Sequence, residues 1–259
     1  MPLFTDQMNR TILLEQQPKR IVSLVPSQTE LLFDLGLEDE VVGITRFCTH
    51  PLAWHRSKTR IGGTKQLNLG KIQSLTPDLI IGNKEENDRT QMEALMQSFP
   101  VWMSDINSLD TAFEMISEIG NLTGKTEKAR ELVYSIREGF SHLTLPLISR
   151  RAAYFIWREP WMVAGNGTFI NEMMMCCGWI NAFQEVRYPI ISPEALKMAS
   201  PDIILLSSEP YPFREKHFEE FRDCCPNATI QLVDGELFSW YGSRLLHAPS
   251  YFNKLLSAE

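Results

Sequence analysis

Thr76-Pro77-Asp78-Leu79-Ile80-Ile81 is repeated, almost residue for residue, as Ser200-Pro201-Asp202-Ile203-Ile204-Leu205, 124 positions later. Each copy closes a short amphipathic stretch, carrying Leu69, Ile72 and Leu75 in the first and Ala195, Leu196 and Ala199 in the second. A proline disfavours helical geometry in the residue before it, so a helix should stop there, and the aspartate should make the turn. The β-branched apolar run that follows suits a strand buried on both faces. The two copies are too far apart for a solenoid period and fit two similar α/β lobes instead.

Working outward, Arg20-Ile21-Val22-Ser23-Leu24-Val25 reads as a buried strand that Pro26 stops. Ser27-Gln28-Thr29-Glu30 has the form of a capping box for a helix ending at Gly36. Val41 to Thr45, Leu79 to Ile81 and Val101 to Met103 supply further strands, alternating with helical stretches in the manner of a parallel sheet. The second half repeats the grammar with strands at Ala152–Trp157, Ile203–Leu206 and Ile230–Val233 and a helix at Phe169–Cys177. Between the halves, Ala129, Leu132, Val133, Ile136, Phe140 and Leu143 recur at helical spacing with no interrupting proline. The expected architecture is therefore α/β: two Rossmann-like lobes with central, mostly parallel sheets joined by one long spanning α-helix over 126–143. The lobes are expected at residues 1–108 and 146–259, with a helical connection over 109–145. A two-lobed chain of this kind is expected to hold a ligand in the cleft between its halves.

Composition excludes several classes. A net charge of −7 and a pI near 5.4 lack the basic stripe of a nucleic-acid binder. No apolar run reaches the roughly 18 residues of a membrane span. The opening Met1-Pro2-Leu3-Phe4-Thr5-Asp6 has neither the basic start nor the apolar centre of a signal peptide. The expected location is the cytoplasm, with the periplasm as the alternative should an export signal precede this chain. Five cysteines, four of them in the adjacent pairs Cys176-Cys177 and Cys224-Cys225, do not make a disulfide framework and read as reduced, packed thiols.

Chemistry-bearing motifs are sparse. No G-x-G-x-x-G, Walker A, G-x-S-x-G or H-E-x-x-H pattern occurs. Gly165-Asn166-Gly167-Thr168 has the look of a phosphate-cradling turn but reads more simply as a strand-to-helix loop. Cys48, His50 and His55 lie within eight residues, and His50 is the best single candidate for an axial ligand, against a plain loop histidine packed on Pro51. No intrinsic cofactor and no protein metal site are expected.

Five segments, taken in order, resemble the class III, helical-backbone substrate-binding proteins of ABC importers, the receptors for cobalamin, haem and iron–siderophore complexes. They are RIVSLVPSQTELLFDLGLEDEVVGIT, IGGTKQLNLGKIQSLTPDLIIG, EPWMVAG, VRYPIISPEALKMASPDIILL and FSWYGSRLLHAP. The resemblance runs from Arg20 to about Phe252 and is strongest to the cobalamin-binding members. It implies a non-enzymatic receptor for one metal-chelate ligand, with the metal arriving inside the ligand. The alternative is a cytosolic enzyme, chaperone or storage protein for a tetrapyrrole or chelate on the same scaffold.

Carried onto this chain, the resemblance places Phe47 on an aromatic position after the second strand. Lys65 and Asn83 fall where cobalamin binders carry tryptophans, and Tyr188 falls on a third such position. Trp161, Trp240 and Tyr241 lie in neighbouring loops and are expected to supply stacking area. Arg158, Arg187 and Arg244 sit in expected strand-end loops, Arg158 and Arg244 at the polar edge of the site, where guanidinium forks hold carboxylates. With Lys65 and Asn83 in place of aromatic area, the expected ligand is more anionic than cobalamin. The resemblance also makes Glu194 a permease-docking acid. Its counterpart in the first copy is Gly70, beside Lys71, which argues against docking on a family-type permease.

Overall fold

The computed structural model describes residues 3–257, so Met1 and Pro2, part of the opening read for a leader, lie outside the described residues. The chain divides into two compact units. The first contains residues up to Ile106, Asp110–Ile136 and a late return, Tyr241–Arg244. The second contains Asn107–Leu109, Arg137–Trp240 and the residues from Leu245 onward. The helical stretch read as a separate connection is thus shared between the units, and the division falls after Ile136.

In the first unit, a hairpin of β1 (Leu3–Thr5) and β2 (Thr11–Leu13) precedes β3 (Ile21–Ser23), α1 (Pro26–Asp34), β4 (Val41–Ile44), α2 (Leu52–Ser57) and β5 (Thr59–Arg60). Then come α3 (Leu69–Ser74), β6 (Leu79–Asn83), α4 (Arg89–Met96), β7 (Val101–Ser104), α5 (Leu109–Leu122) and α6 (Thr126–Ser141), of which Leu109 and the end of α6 from Arg137 belong to the second unit. The sheet order is β5-β4-β3-β6-β7, all parallel. In the second unit follow β8 (Arg151–Trp157), β9 (Met162–Val163), α7 (Phe169–Cys176), β10 (Ile180–Asn181) and α8 (Pro193–Ala199). They are succeeded by β11 (Ile203–Ser207), α9 (Phe218–Arg222), β12 (Thr229–Val233), α10 (Gly235–Ser239) and α11 (Ala248–Ser257). Here the order is β10-β8-β11-β12, parallel, with β9 antiparallel on β8. The fold is α/β with two mainly parallel sheets. Each sheet starts in the middle, steps to one side for its next strand and then returns to the other side. That reversal creates a switch point at the carboxyl ends of β3 and β6, and of β8 and β11.

The repeated motif builds the same device in both units. Asn68 and Ser192 cap α3 and α8 by accepting from the Lys71 and Ala195 amides. Thr76 and Ser200, each before its proline, are both turned into the left-handed region at φ 43°. Asp78 then accepts from the Lys19 and Arg20 amides, and Asp202 from the Arg151 amide. Arg20 and Arg151 each donate back to the last turn of the helix, at Leu75 O and Ala199 O. The aspartate thus ties the start of β6 to that of β3 in the first unit, and the start of β11 to that of β8 in the second. The strands that follow are completely buried.

Several local expectations are corrected. Pro26 does not stop a strand so much as open α1: Val25 is the N-cap, without a side-chain bond, and Ser27 lies inside the helix. Proline has no N–H to satisfy and its φ suits the first helical position, so the helix begins before the capping-box pattern. The helix expected over 126–143 ends at Ser141 but passes through Gly139 unbroken. The short strands β1, β2, β5, β9 and β10 escaped the sequence reading, being two or three residues each and too brief to show a period. Among the described residues no helix is long and apolar enough to cross a membrane.

Candidate functional site

Ligands of open α/β sheets bind beyond the carboxyl ends of the strands, so each unit's strand-end loops are the place to look. In the first unit β4 leads into Thr45-Arg46-Phe47. The Arg46 amide donates to Gly62 O, and the Arg46 guanidinium lies over the Phe47 ring at 4.9 Å. Phe47 is 50 % exposed. A Cβ on Gly63 would stand 3.1 Å from the Phe47 ring, so the glycine lets the β5 loop pass beneath it. Lys65, in that loop, donates from Nζ to Glu85 O and Asn87 O, which leaves its stem exposed and its head fixed to the neighbouring loop.

Asn83 has a structural task. It is buried, donates to Ser104, and accepts from the Glu85 and Glu86 amides. Its counterpart Ser207 accepts from the Glu209 amide in the same way. Asn83 therefore builds the turn after β6 and does not present its side chain. His50 is half-buried at the start of the α2 loop. Cys48 beside it is fully buried against the hydroxyls of Thr29 and Thr45, and burial raises its thiol pKa. Among the described residues no group of three His, Cys, Asp or Glu side chains is placed to hold a metal ion. All five cysteines are free, and burial pushes the Cys176 thiol up to about 12.

The return segment Tyr241–Arg244 completes the first unit. Arg244 forks onto Glu30 of α1, with Nε 2.8 Å from Oε2 and Nη2 2.5 Å from Oε1. Both side chains are largely buried, and Tyr241 is buried as well. Arg244 tethers the segment, a role only the tertiary structure reveals because its partner is 214 residues away.

In the second unit the loop after β10 carries Arg187 and Tyr188. It is stitched to the α7 entry by reciprocal Arg187–Asn166 and Gly165–Arg187 backbone bonds. Gly165 has no room for a side chain, since a Cβ would meet Glu185 O at 2.0 Å. The Arg187 guanidinium lies 5.8 Å from the Tyr188 ring centroid, and Tyr188 is half-buried. The other expected contacts are engaged elsewhere. Arg158 bonds Glu220 and Glu159. Trp161 stacks on Phe221 at 4.8 Å and packs on the core of Phe155, Val163 and Leu206. Trp240 is buried and donates Nε1–H to Glu209. Burial raises the Glu209 carboxyl above its usual range. Sequence reasoning missed Glu209, which lines a cavity of about 560 Å³ with Ser208, Asp234 and Glu236. Its place one turn after the repeated strand was the available signal.

The model of the periplasmic binding protein family matches residues 21–223. The chain belongs to that family. Its members are substrate-binding receptors, not enzymes, and the alternative of an enzyme or chaperone falls away. An uncharacterised ABC transporter substrate-binding lipoprotein, YvrC of Bacillus subtilis, is 30 % identical over 213 residues, covering 77 % of this chain and 67 % of its own. The vitamin B12-binding protein of Vibrio cholerae is 27 % identical over 195 residues, covering 73 % and 70 %. Among solved structures, the periplasmic haem-binding protein BhuT in complex with two haems superposes with a TM-score of 0.79 at 19 % identity, covering 93 % of this chain and 98 % of that one. That last likeness concerns the fold. The family also corrects the cytoplasmic location expected from the opening residues: its relatives are periplasmic proteins or lipoproteins.

Proposed function

We propose that this member of the family is the receptor of an ABC importer for a carboxylate-bearing metal chelate, of the cobalamin, haem or iron–siderophore type. The observation that carries this reading is duplicated. Each unit sets an arginine over an aromatic ring on adjacent residues of a strand-end loop, Arg46 on the exposed Phe47 and Arg187 on the half-buried Tyr188. A flat macrocycle stacks on such rings, and the guanidinium groups pair with its carboxylates. The relatives that bind vitamin B12 support the ligand class. Phe47, Tyr188, Arg46 and Arg187 are the proposed contacts, with Lys65 and His50 at the margin. Asn83, Trp161, Trp240, Tyr241, Arg158 and Arg244 act as scaffold. The test is a titration of the purified protein with haemin, a ferric carboxylate siderophore and cyanocobalamin, read by tryptophan quenching. Saturable binding of an anionic chelate, tighter than cyanocobalamin, is expected. No binding of any of the three would sink the reading.

The permease contact is proposed to be lopsided. Glu194 is exposed on the first turn of α8, and its own amide and the Ser192 hydroxyl hold its carboxyl below the usual range. Gly70 occupies the equivalent place on α3, next to Lys71. Glu194→Ala should abolish any stimulation of a reconstituted permease's ATPase, whereas Gly70→Glu should raise it. Equal stimulation by all three proteins would refute the arrangement.

A further inference from the structure

The N-terminal hairpin is fastened to the edge of the first unit's sheet by one buried carboxylate. Asp6 Oδ1 accepts from the Met8 and Arg10 amides at 2.9 and 2.8 Å, and Oδ2 accepts from the Met103 amide at 3.3 Å and from the Arg10 guanidinium. The Gln7 amide adds a bond to Met103 O, and Gln7 Oε1 accepts from the Asp105 amide. So held, the hairpin turn faces α4 across a cavity of about 370 Å³. Four methionines line it: Met8 on the turn, Met92 and Met96 one turn apart on α4, and Met103 on β7. Gly82 makes room for two of them. A Cβ there would lie 2.8 Å from Met103 Sδ and 3.1 Å from Met92 Cε.

The polar groups at this cavity are mainly cationic. Arg10, Lys84 and Arg89 line it, against the single carboxylate of Glu93. Arg10 gives its Nε and Nη2 to Asp6, which leaves Nη1 facing Met96 Sδ. A thioether is a weak acceptor for a guanidinium N–H, so this donor gains when an anionic oxygen takes the sulfur's place. Lys84 pairs with Asp105, and Arg89 with Glu93, at the surface. Such exposed pairs contribute little, and ammonium and guanidinium groups carry further donors. Four thioethers alone would suggest a soft metal ion, but three neighbouring cations oppose one. Flexible, polarisable methionines instead accept an apolar body of variable shape, and the volume is that of a small-ligand site.

We propose that this cavity is a second binding site, for an amphipathic organic carboxylate whose apolar tail lies among the methionines and whose head meets Arg10 and Lys84. It shares no residue with the proposed chelate contacts, so either reading can fail alone. The test uses the full chain labelled with 13C-methyl methionine, which gives eleven methyl signals, assigned by single Met→Leu variants and titrated with decanoate. Saturable shifts confined to Met8, Met92, Met96 and Met103 are expected. Decyltrimethylammonium and decan-1-ol should bind on the order of tenfold more weakly, as should decanoate to Lys84→Met, the loss of one charge-assisted contact. Met96→Trp should fill the cavity and remove the shifts while leaving the melting temperature and chelate titration unaltered. Should Met96→Trp unfold the protein, the Lys84→Met and head-group comparisons in the folded chain decide. Shifts spread over all methionines, equal binding of the cation, or displacement of decanoate by the chelate would overturn the proposal.

Discussion

Residues 68–85 and 192–209 are two versions of one construction, alike in the side chains that close backbone hydrogen bonds. Both begin with a polar N-cap, turn through a left-handed residue before proline, anchor an aspartate on the neighbouring strand and end in a side chain that caps the following turn. The parts that close backbone hydrogen bonds are kept in kind: Asn68 and Ser192, Asp78 and Asp202, Asn83 and Ser207. The exposed helix positions diverge, as Gly70 and Glu194 do. Backbone polar groups that lose water on folding must find partners, whereas an exposed helix face is free to specialise. The first version makes more of its anchor, with Asp78 accepting from two amides where Asp202 accepts from one.

The largest effect should distinguish the units at the ligand. Tyr188→Ala and Phe47→Ala should each weaken chelate binding by about 1–3 kcal/mol, the range of an aromatic anchor, with melting temperatures nearly unchanged. Loss of affinity in one variant only would show that a single unit carries recognition. At the anchors, Asp78→Ala should destabilise the fold by about 1–2 kcal/mol, and Asp202→Ala by less, as measured by urea unfolding. The reverse order would break the comparison.

Smaller effects sharpen it at the left-handed residues. A β-branched side chain is costlier than serine at positive φ, so Thr76→Gly should stabilise by about 0.5–1 kcal/mol and Ser200→Gly by less. Smallest is the difference at the turns, where Glu209 lies against Trp240 and Ser239. Its pKa is raised in the folded chain by burial. The folded state therefore holds its proton more tightly than the unfolded one, and the associated stability, complete below the ordinary Glu value, is lost as pH rises through the folded pKa. Glu209→Gln should flatten the fall in unfolding free energy as pH rises above the ordinary Glu range, by no more than about 1 kcal/mol, as measured by urea unfolding.

Much of the architecture was legible because its signals are local. The pre-proline turns at Thr76 and Ser200, the apolar runs after them and the uninterrupted face of Ala129, Val133 and Ile136 act within a few residues of chain. They determine where helices stop and strands start, and their repetition reveals two like units. The family match over residues 21–223 takes in four of the five ordered segments and stops short of FSWYGSRLLHAP. Short edges such as Thr59–Arg60 and Ile180–Asn181 carry no such pattern. They become strands only because a neighbour offers hydrogen bonds.

The candidate site divides along the same line. Sequence placed Phe47 and Tyr188 in strand-end loops, since each follows directly from a strand or its loop. Tertiary structure alone decided which polar and aromatic neighbours were already committed. Arg244 is claimed by Glu30, Trp161 by Phe221, Trp240 by Glu209, Arg158 by Glu220 and Asn83 by its own turn. A residue type and its place in a loop state what a side chain is able to bind. Whether it is free to bind depends on partners that folding brings from as far as 214 residues away, and that distance has no local signature in the chain.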